Sequence, residues 1–193
     1  MPSNKAELAE RIAAVQAGDS VRGLFFNVVF DLVQQHAGAD GLQRVRVGPL
    51  AANYSDLRQY PVQDYLTQLF TAADVLEGAL GSVDAVFHAC GETSVTRYST
   101  GMGMLIFGII SRGDPHKLFA GAQMGYRAAV SYGSRDYLST GLKSGTLRVR
   151  RDMLPPAYHE GILSGSLKVL GLKGSAKARA HGVDRVDYDI AWE

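Results

Sequence analysis

Residues 97–137 read RYSTGMGMLIFGIISRGDPHKLFAGAQMGYRAAVSYGSRDY, and this stretch limits how the rest of the chain can be arranged. It holds the most apolar run of the sequence, Met102 to Ile110, which glycines interrupt. The run is shorter than the roughly 20 residues that a bilayer span requires. A segment that is apolar on all sides predicts a core helix surrounded by protein.

The clearest helix start in the chain follows this run. In Gly113-Asp114-Pro115-His116, Asp114 is placed to cap a helix and Pro115 to occupy its first position, which indicates a structural and not a catalytic aspartate. The inner face of this helix is predicted to comprise Leu118, Phe119, Ala122, Tyr126, Ala129 and Val130. Gly121 and Gly125 flank that face and are predicted to permit close helix approach.

Helical periodicity predicts four more helices upstream. The first helix starts at Asn4 and stops before Gly18, and the second, a buried helix, covers residues 24–38 and ends at Gly38. The third helix begins at Pro61 and ends at Gly81, and the fourth runs from Val83 to Ser99. The segment between Arg46 and Gln59 lacks periodicity and reads as a connection.

After Gly141 the pattern changes from helical to alternating. Strands are predicted at residues 146–150, 176–180 and 186–192, with a helix opened by Pro155-Pro156 after the first and a hairpin turn at residues 181–184. The prediction is an α+β fold: an N-terminal helical layer packed on a small C-terminal antiparallel sheet with a β-α-β-β ending. We expect one domain over 1–193, comprising an N-terminal helix (1–20), the helical layer (21–140) and the β-α-β-β module (141–193).

Composition excludes several classes of function. The formal net charge is +1, which argues against nucleic acid as a partner, and the single cysteine, Cys90, excludes an internal disulfide framework. The charged N-terminus does not resemble a signal peptide, so we expect a cytoplasmic protein. The five histidines lack metal-ligand spacing, and no nucleophile motif is present. The sequence therefore predicts neither an enzyme nor a metal protein.

Two sets of residues are candidates for binding. The first is rich in methionine and aromatic residues, which suit either an adaptable apolar cavity or a filled core: Phe26, Phe30, Phe70, Phe87, Met102, Met104, Phe107, Phe119, Met124 and Tyr126. The second is a basic sheet face that could bind an acidic partner, formed by Arg148, Arg150, Lys177 and Arg179 if their strands pair. The alternative for this face is a solvated surface balanced by Asp187 and Asp189.

The chain resembles a paralogous family of myxobacterial proteins of unassigned function. The resemblance rests on Val21 to Phe26, Tyr60-Pro61-Val62, Arg112 to His116, the aromatic helix with Tyr126, and the closing helix and hairpin. That family is similar to the vinyl-reductase-like sensory domains, which share a fold with the haem nitric-oxide-binding domains and a vesicle-tethering subunit. The resemblance implies an apolar pocket between helices and sheet, frequent homodimers and no catalysis.

The resemblance also makes haem a candidate cofactor. A related domain binds haem through a helical histidine and a Tyr-x-Ser-x-Arg motif, and the candidate axial ligands here are His88 and His116. The sequence Tyr98-Ser99-Thr100-Gly101 breaks that motif, and both histidines can equally be packed or surface residues. Relatives often carry cysteines near the C-terminal hairpin, whereas Ala176 to Tyr188 has none, so a thiolate zinc site is not expected.

These observations favour a non-enzymatic sensory or adaptor domain. It would bind a small apolar ligand, a protein partner or both, and act in signalling as a homodimer. The alternatives are a ligand-free interaction module that uses the basic sheet face, and a haem-based gas sensor.

Overall fold

The computed structural model describes residues 3–51, 53–99 and 113–193. The predicted core helix at Met102 to Ile110 lies outside the described residues. The helical layer consists of α1 (Ser3–Ala13), β1 (Ser20–Arg22), α2 (Gly23–Val45), a 3-10 turn (Gly48–Ala51), β2 (Gln59–Pro61), α3 (Val62–Leu80) and α4 (Val83–Ser99). β1 and β2 form a short antiparallel ribbon at the start of α2 and α3.

Two of the predicted helix boundaries differ in detail from the structure. Gly38 does not end α2; it adopts φ 63° and ψ −161° and kinks the helix, which then continues to Val45. Pro61 is extended, with ψ 132°, because it pairs in β2, and α3 begins one residue later at Val62. Gly81 ends α3 with φ 95°, a left-handed conformation that suits glycine, as predicted.

The helix predicted after Asp114 is divided into two. α5 (Pro115–Ala120) begins where Asp114 Oδ1 accepts a hydrogen bond from the backbone N–H of His116 at 2.9 Å, which confirms the predicted cap. Gly121 separates α5 from α6 (Ala122–Ala129). Among the residues that the structure describes, a Cβ on Gly125 would meet no atom within 4 Å, so close helix approach at this glycine is not seen there.

The C-terminal part is a four-stranded antiparallel sheet covered by one helix. It comprises β3 (Ser134–Gly141), β4 (Ser144–Arg150), α7 (Pro156–Val169), β5 (Gly174–Gly182) and β6 (Arg185–Trp192), with strand order β3-β4-β6-β5. The α+β prediction and the final hairpin are confirmed. The sheet has one strand more than predicted, namely β3. The sequence does not predict β3 because it is an edge strand with mostly exposed side chains and lacks the apolar alternation of the other strands.

Apolar side chains form two clusters. The larger lies among α2, α3 and α4, and the smaller lies between α7, α5 and the sheet. The backbones of α4 and α7 approach closely because Gly91 packs against the carbonyl of Tyr158 and Gly161 against the carbonyl of His88. No helix in the described ranges is long and apolar enough to cross a membrane.

Candidate ligand-binding site

An apolar cavity of about 110 Å³ lies where the two clusters meet. Helices α4 and α7 form one wall, α5 and α6 the other, and Phe25 of α2 contributes an aromatic ring. The lining residues are Phe25, Ser94, Val95, Tyr98, Leu118, Gly121, Ala122, Gly125, Tyr126, Ala129, Ile162 and Ser166. The close approach of α4 and α7 fixes one wall, and the absent side chain of Gly125 leaves room in the other.

The serine hydroxyls in the wall are already engaged within the protein. Ser94 Oγ donates to the carbonyl of Cys90 at 2.7 Å, and Ser166 Oγ donates to the carbonyl of Ile162 at 2.8 Å. Because the single Ser94 proton is used in this way, Tyr158 donates its hydroxyl proton to Ser94 Oγ across 3.1 Å. A ligand therefore finds no serine proton available and meets an environment that is essentially apolar.

A second hydrogen bond links the hydroxyl group of Tyr158 to the core. Tyr65 donates its hydroxyl proton to the hydroxyl oxygen of Tyr158 at 2.8 Å. Burial raises the pKa of both Tyr65 and Tyr158, so both phenols stay protonated. Each donor in this series of hydrogen bonds is therefore fixed. These hydrogen bonds give a partner to each of three buried hydroxyl groups, those of Tyr65, Tyr158 and Ser94. Burial of a hydroxyl group without a hydrogen-bond partner would destabilise the fold.

Tyr126 connects the cavity to a buried charged cluster, which we define as Arg135, Asp152 and His159. Tyr126 Oη lies 2.9 Å from Nδ1 of His159, and its ring packs 4.1 Å from the guanidinium carbon of Arg135. Nε2 of His159 lies 3.2 Å from Asp152 Oδ2 but off the line of a hydrogen bond, and Arg135 forms an ion pair with the same oxygen. A proton on Nε2 suits the adjacent carboxylate, so we assign Nδ1 as the acceptor and Tyr126 as the donor.

The carboxyl group of Asp152 is held in its ionised form. Burial alone would raise the pKa of Asp152, but His159 and Arg135, together with the backbone N–H of Leu154, outweigh burial and hold that pKa well below its usual range. Burial raises the pKa of Tyr126 even though Arg135 opposes the shift. Ionised Asp152 and neutral Tyr126 are thus the stable forms near neutral pH.

The structure places most of the described candidate ligand-binding residues away from the cavity. Of that set Tyr126 lines it, whereas Phe26, Phe30, Phe70 and Phe87 are packed in the larger cluster, Phe119 is packed in the smaller one, and Met124 is 58% exposed. Met102, Met104 and Phe107 lie outside the described residues. Residue type suits either an apolar cavity or a filled core, and the described phenylalanines of this set belong to the filled core.

Sequence patterns do not point to most residues of the described wall. Ser94 and Val95 were assigned only to a helix, and Ile162 and Ser166 belong to a helix that was not linked to any site. Small residues recur at helical spacing at Gly121 and, on α6, at Ala122, Gly125 and Ala129. This recurrence could have pointed to the cavity, because small side chains on an inward helix face either allow a neighbouring helix to approach closely or leave empty space.

The basic sheet face contains acidic residues between its cations. β6 lies between β4 and β5, which places Asp187 opposite both Arg148 and Arg179, and Asp189 opposite Lys177. Arg150 pairs with Asp187 at 2.8 Å and Arg179 with Asp189 at 2.7 Å. β4 and β5 therefore do not pair directly, and two of the four cations are neutralised locally. Partner binding through this face stays a prediction.

The described residues do not fit a haem. Pockets for drug-sized ligands have volumes of about 300–1,000 Å³ and haem is larger still, whereas this cavity has about 110 Å³ and no histidine among its described lining residues. His116 engages both ring nitrogens, with the Tyr137 hydroxyl at 2.7 Å and the Leu142 carbonyl at 3.0 Å. His88 is on α4 but does not line the cavity, and its Nδ1 lies 3.8 Å from Glu92.

Metal binding finds no support in the described geometry either. Within residues 3–51, 53–99 and 113–193, no group of three or more histidine, cysteine, aspartate or glutamate side chains is arranged to hold a metal ion.

Comparisons with solved structures identify the fold. The H-NOX protein from K. algicida in its Fe(II) unliganded form matches with a TM-score of 0.70 and 13% identity, covering 89% of this chain and 96% of that chain. The H-NOX domain from Shewanella oneidensis in its Fe(II)CO state matches with a TM-score of 0.67 and 15% identity, covering 89% and 98%. At these identities the likeness shows the fold alone.

Sequence comparison gives one further result. Residues 14–193 match the model of a family described as "Protein of unknown function (DUF2378)". No curated protein matches the chain.

Proposed function

Because the chain belongs to the DUF2378 family and has the fold of H-NOX proteins, we propose that it is a non-enzymatic, cytoplasmic sensory or adaptor domain. It binds one small apolar molecule in the cavity between α4, α7 and the pair α5–α6. The bound state is passed to a second copy of the chain or to a protein partner.

The observation that carries this proposal is the chemistry of the cavity wall. An engineered protein cavity of about 150 Å³ lined by apolar side chains stays dry and binds benzene. The cavity here is of similar size, and its two serine protons are engaged with backbone carbonyls. A molecule of one aromatic ring, or an aliphatic molecule of similar volume, matches both its size and its polarity.

The α5–α6 wall of the cavity and the proposed partner-binding surface are linked through β3. α5 and α6, which form one side of the cavity, also pack against β3. β3 is an edge strand and leads into a turn where Leu142 is 95% exposed, with Leu138 also exposed. A ligand that displaces α6 would shift β3, and an edge strand with exposed leucines suits recognition by a partner.

Thermal unfolding in the presence of toluene tests the proposal. We expect toluene to raise the Tm of the wild-type protein, because a ligand that binds only the folded state stabilises it. Gly125→Leu places a side chain in open space at the cavity and should abolish this rise. Gly78→Leu is the matched control, since Gly78 is also a helical glycine with open space around its Cα but is exposed on α3.

Two outcomes would overturn the proposal. The first is that toluene leaves the Tm of the wild-type protein unchanged and native mass spectrometry of the purified protein also reveals no copurifying molecule. The other is an equal rise in Tm for wild-type, Gly125→Leu and Gly78→Leu, which would show that toluene acts without entering the cavity.

A further inference from the structure

A second pocket borders α6 on a different face from the apolar cavity. Its volume is about 390 Å³, and its lining residues are Gln123, Arg127, Val130, Ser131, Tyr132, Gly133, Ser134 and Arg151. Gln123 and Arg127 are four residues apart on α6 and therefore share one face, while Ala122, Gly125, Tyr126 and Ala129 of the same helix line the apolar cavity. The volume lies within the range of about 300–1,000 Å³ typical of small-molecule sites.

The side chains around this second pocket offer hydrogen-bond donors. Arg127 is exposed and forms no ion pair or hydrogen bond to any residue that the structure describes. Gln123 Oε1 accepts a hydrogen bond from the backbone N–H of Arg135 at 2.6 Å, which fixes the amide and leaves its NH₂ group without a described acceptor. No aspartate or glutamate is among the described lining residues.

Arg151 contributes a second guanidinium that is held in place. Its Nη1 and Nη2 donate to the carboxylate of Asp19 at 3.0–3.2 Å, so the Asp19 pair uses those two nitrogens and leaves Nε unused. Arg151 also has φ 54°, the one positive φ among the described residues other than glycine. Residues kept in this sparsely populated region cluster at binding sites, where the surrounding structure holds a side chain in a particular direction.

The buried guanidinium of Arg135 lies beneath the floor of the pocket. Gly133 lines the pocket with φ 74°, and a Cβ at this position would approach Arg135 Nη1 to 2.7 Å. The glycine thus allows the Arg135 side chain to pass directly under the pocket. Asp152 offsets this charge, so Arg127 provides the uncompensated positive charge among the described residues of the site.

We propose that this pocket binds a small oxyanion, a carboxylate or a phosphoryl group, through Arg127 with the amide of Gln123 as a second donor. A planar guanidinium can donate two parallel hydrogen bonds to either group, and a site that offers donors without carboxylates rejects cations. The site is separate from the apolar cavity and does not depend on the function proposed for it.

Calorimetric titration with inorganic phosphate and with acetate, at constant ionic strength set by sodium chloride, tests this assignment. We expect saturable binding of at least one of the two anions, tighter than about 1 mM, and a loss of tenfold or more in Arg127→Gln. Arg44→Gln is the matched control, because Arg44 is exposed on α2 and lies outside both the pocket and the basic sheet face. The anion that binds more tightly identifies the preferred group.

Several results would overturn the proposal. They are the absence of saturable binding for both anions, equal weakening in Arg127→Gln and Arg44→Gln, and an equal binding isotherm when sodium chloride is titrated in place of the anion. Because Arg127 is exposed, its substitution is not expected to unfold the protein, and circular dichroism of the variant verifies that.

Discussion

Gly161 of α7 lies against the backbone of His88 of α4 so closely that a Cβ on Gly161 would overlap the His88 carbonyl oxygen. Gly91 of α4 makes the reciprocal contact with the carbonyl of Tyr158. This pair of contacts brings Ser94 and Ser166 onto one wall of the apolar cavity.

Substitution of Gly161 tests this helix contact. Gly161→Ala should lower the free energy of unfolding by about 1–3 kcal/mol, because backbone atoms must move apart to accept the methyl group. Gly78→Ala should raise it by about 0.4–1 kcal/mol, since that helical glycine has open space around it. Urea unfolding measures both, and a Gly161→Ala protein as stable as Gly78→Ala would contradict the contact.

Arg11 is expected to fix α1 to the rest of the fold. Its Nη1 donates to the carbonyls of Met153, Leu154 and Val183 at 3.0–3.2 Å. Arg11→Ala leaves buried carbonyls without a donor and should cost about 3 kcal/mol of unfolding free energy.

Glu7→Gln provides the comparison for Arg11. It weakens the partly exposed Glu7–Arg11 ion pair and should cost less than about 1 kcal/mol. Equal effects of the two substitutions in chemical denaturation would show that the ion pair, and not the three carbonyl contacts, holds α1.

Asp152 should make the protein acid-sensitive. Its pKa is lowered in the folded state, so its contribution to stability is fully present above the unfolded pKa of about 3.9 and decreases as pH falls below that value. Asp152→Asn should cost about 3–5 kcal/mol at pH 7, because it leaves Arg135 buried without its counter-ion.

Unfolding free energies at pH 7, 4 and 3 measure this dependence. The acid-induced loss should be smaller in Asp152→Asn than in wild type. Asp189→Asn serves as control, since Asp189 pairs with an exposed arginine and should change stability at pH 7 by less than about 1 kcal/mol. An unchanged acid limb in Asp152→Asn would contradict the assignment.

Cys90 should report opening of the core. It is fully buried on α4, and burial raises the pKa of its thiol to about 12, so the native protein has almost no reactive thiolate. A thiol reagent at pH 8 should therefore modify Cys90 only when the core opens, and toluene should slow this modification if it binds the neighbouring cavity. Rapid labelling of the native protein, measured by mass spectrometry, would contradict the burial.

Local sequence signals predicted much of the helical layer. The bounds of α4 and the glycine end of α3 followed from periodicity and from a residue suited to a left-handed conformation. The edge strand β3 could not be found in this way, because only Arg135 of its side chains is buried. Arg135 is charged and was not recognised as an inward-facing residue.

The cavity was less accessible to sequence reasoning than the fold. Its described lining residues come from five helices, α2, α4, α5, α6 and α7, so the cavity is a property of tertiary packing. Aromatic residues were chosen by type, but Phe26 and Phe87 were required to fill the core. The charged cluster was missed for the same reason, since Arg135, Asp152 and His159 converge from separate elements.

Helix α6 contributes residues to two pockets on different faces, one apolar and one basic. If both proposed ligands bind, a displacement of α6 that improves the fit of one ligand alters the wall that faces the other. Thermodynamic reciprocity then requires that an oxyanion change the affinity for the apolar molecule by the same factor as the apolar molecule changes the affinity for the oxyanion. The conformation of α6 and of the adjoining strand β3 would in that case depend on both ligands together.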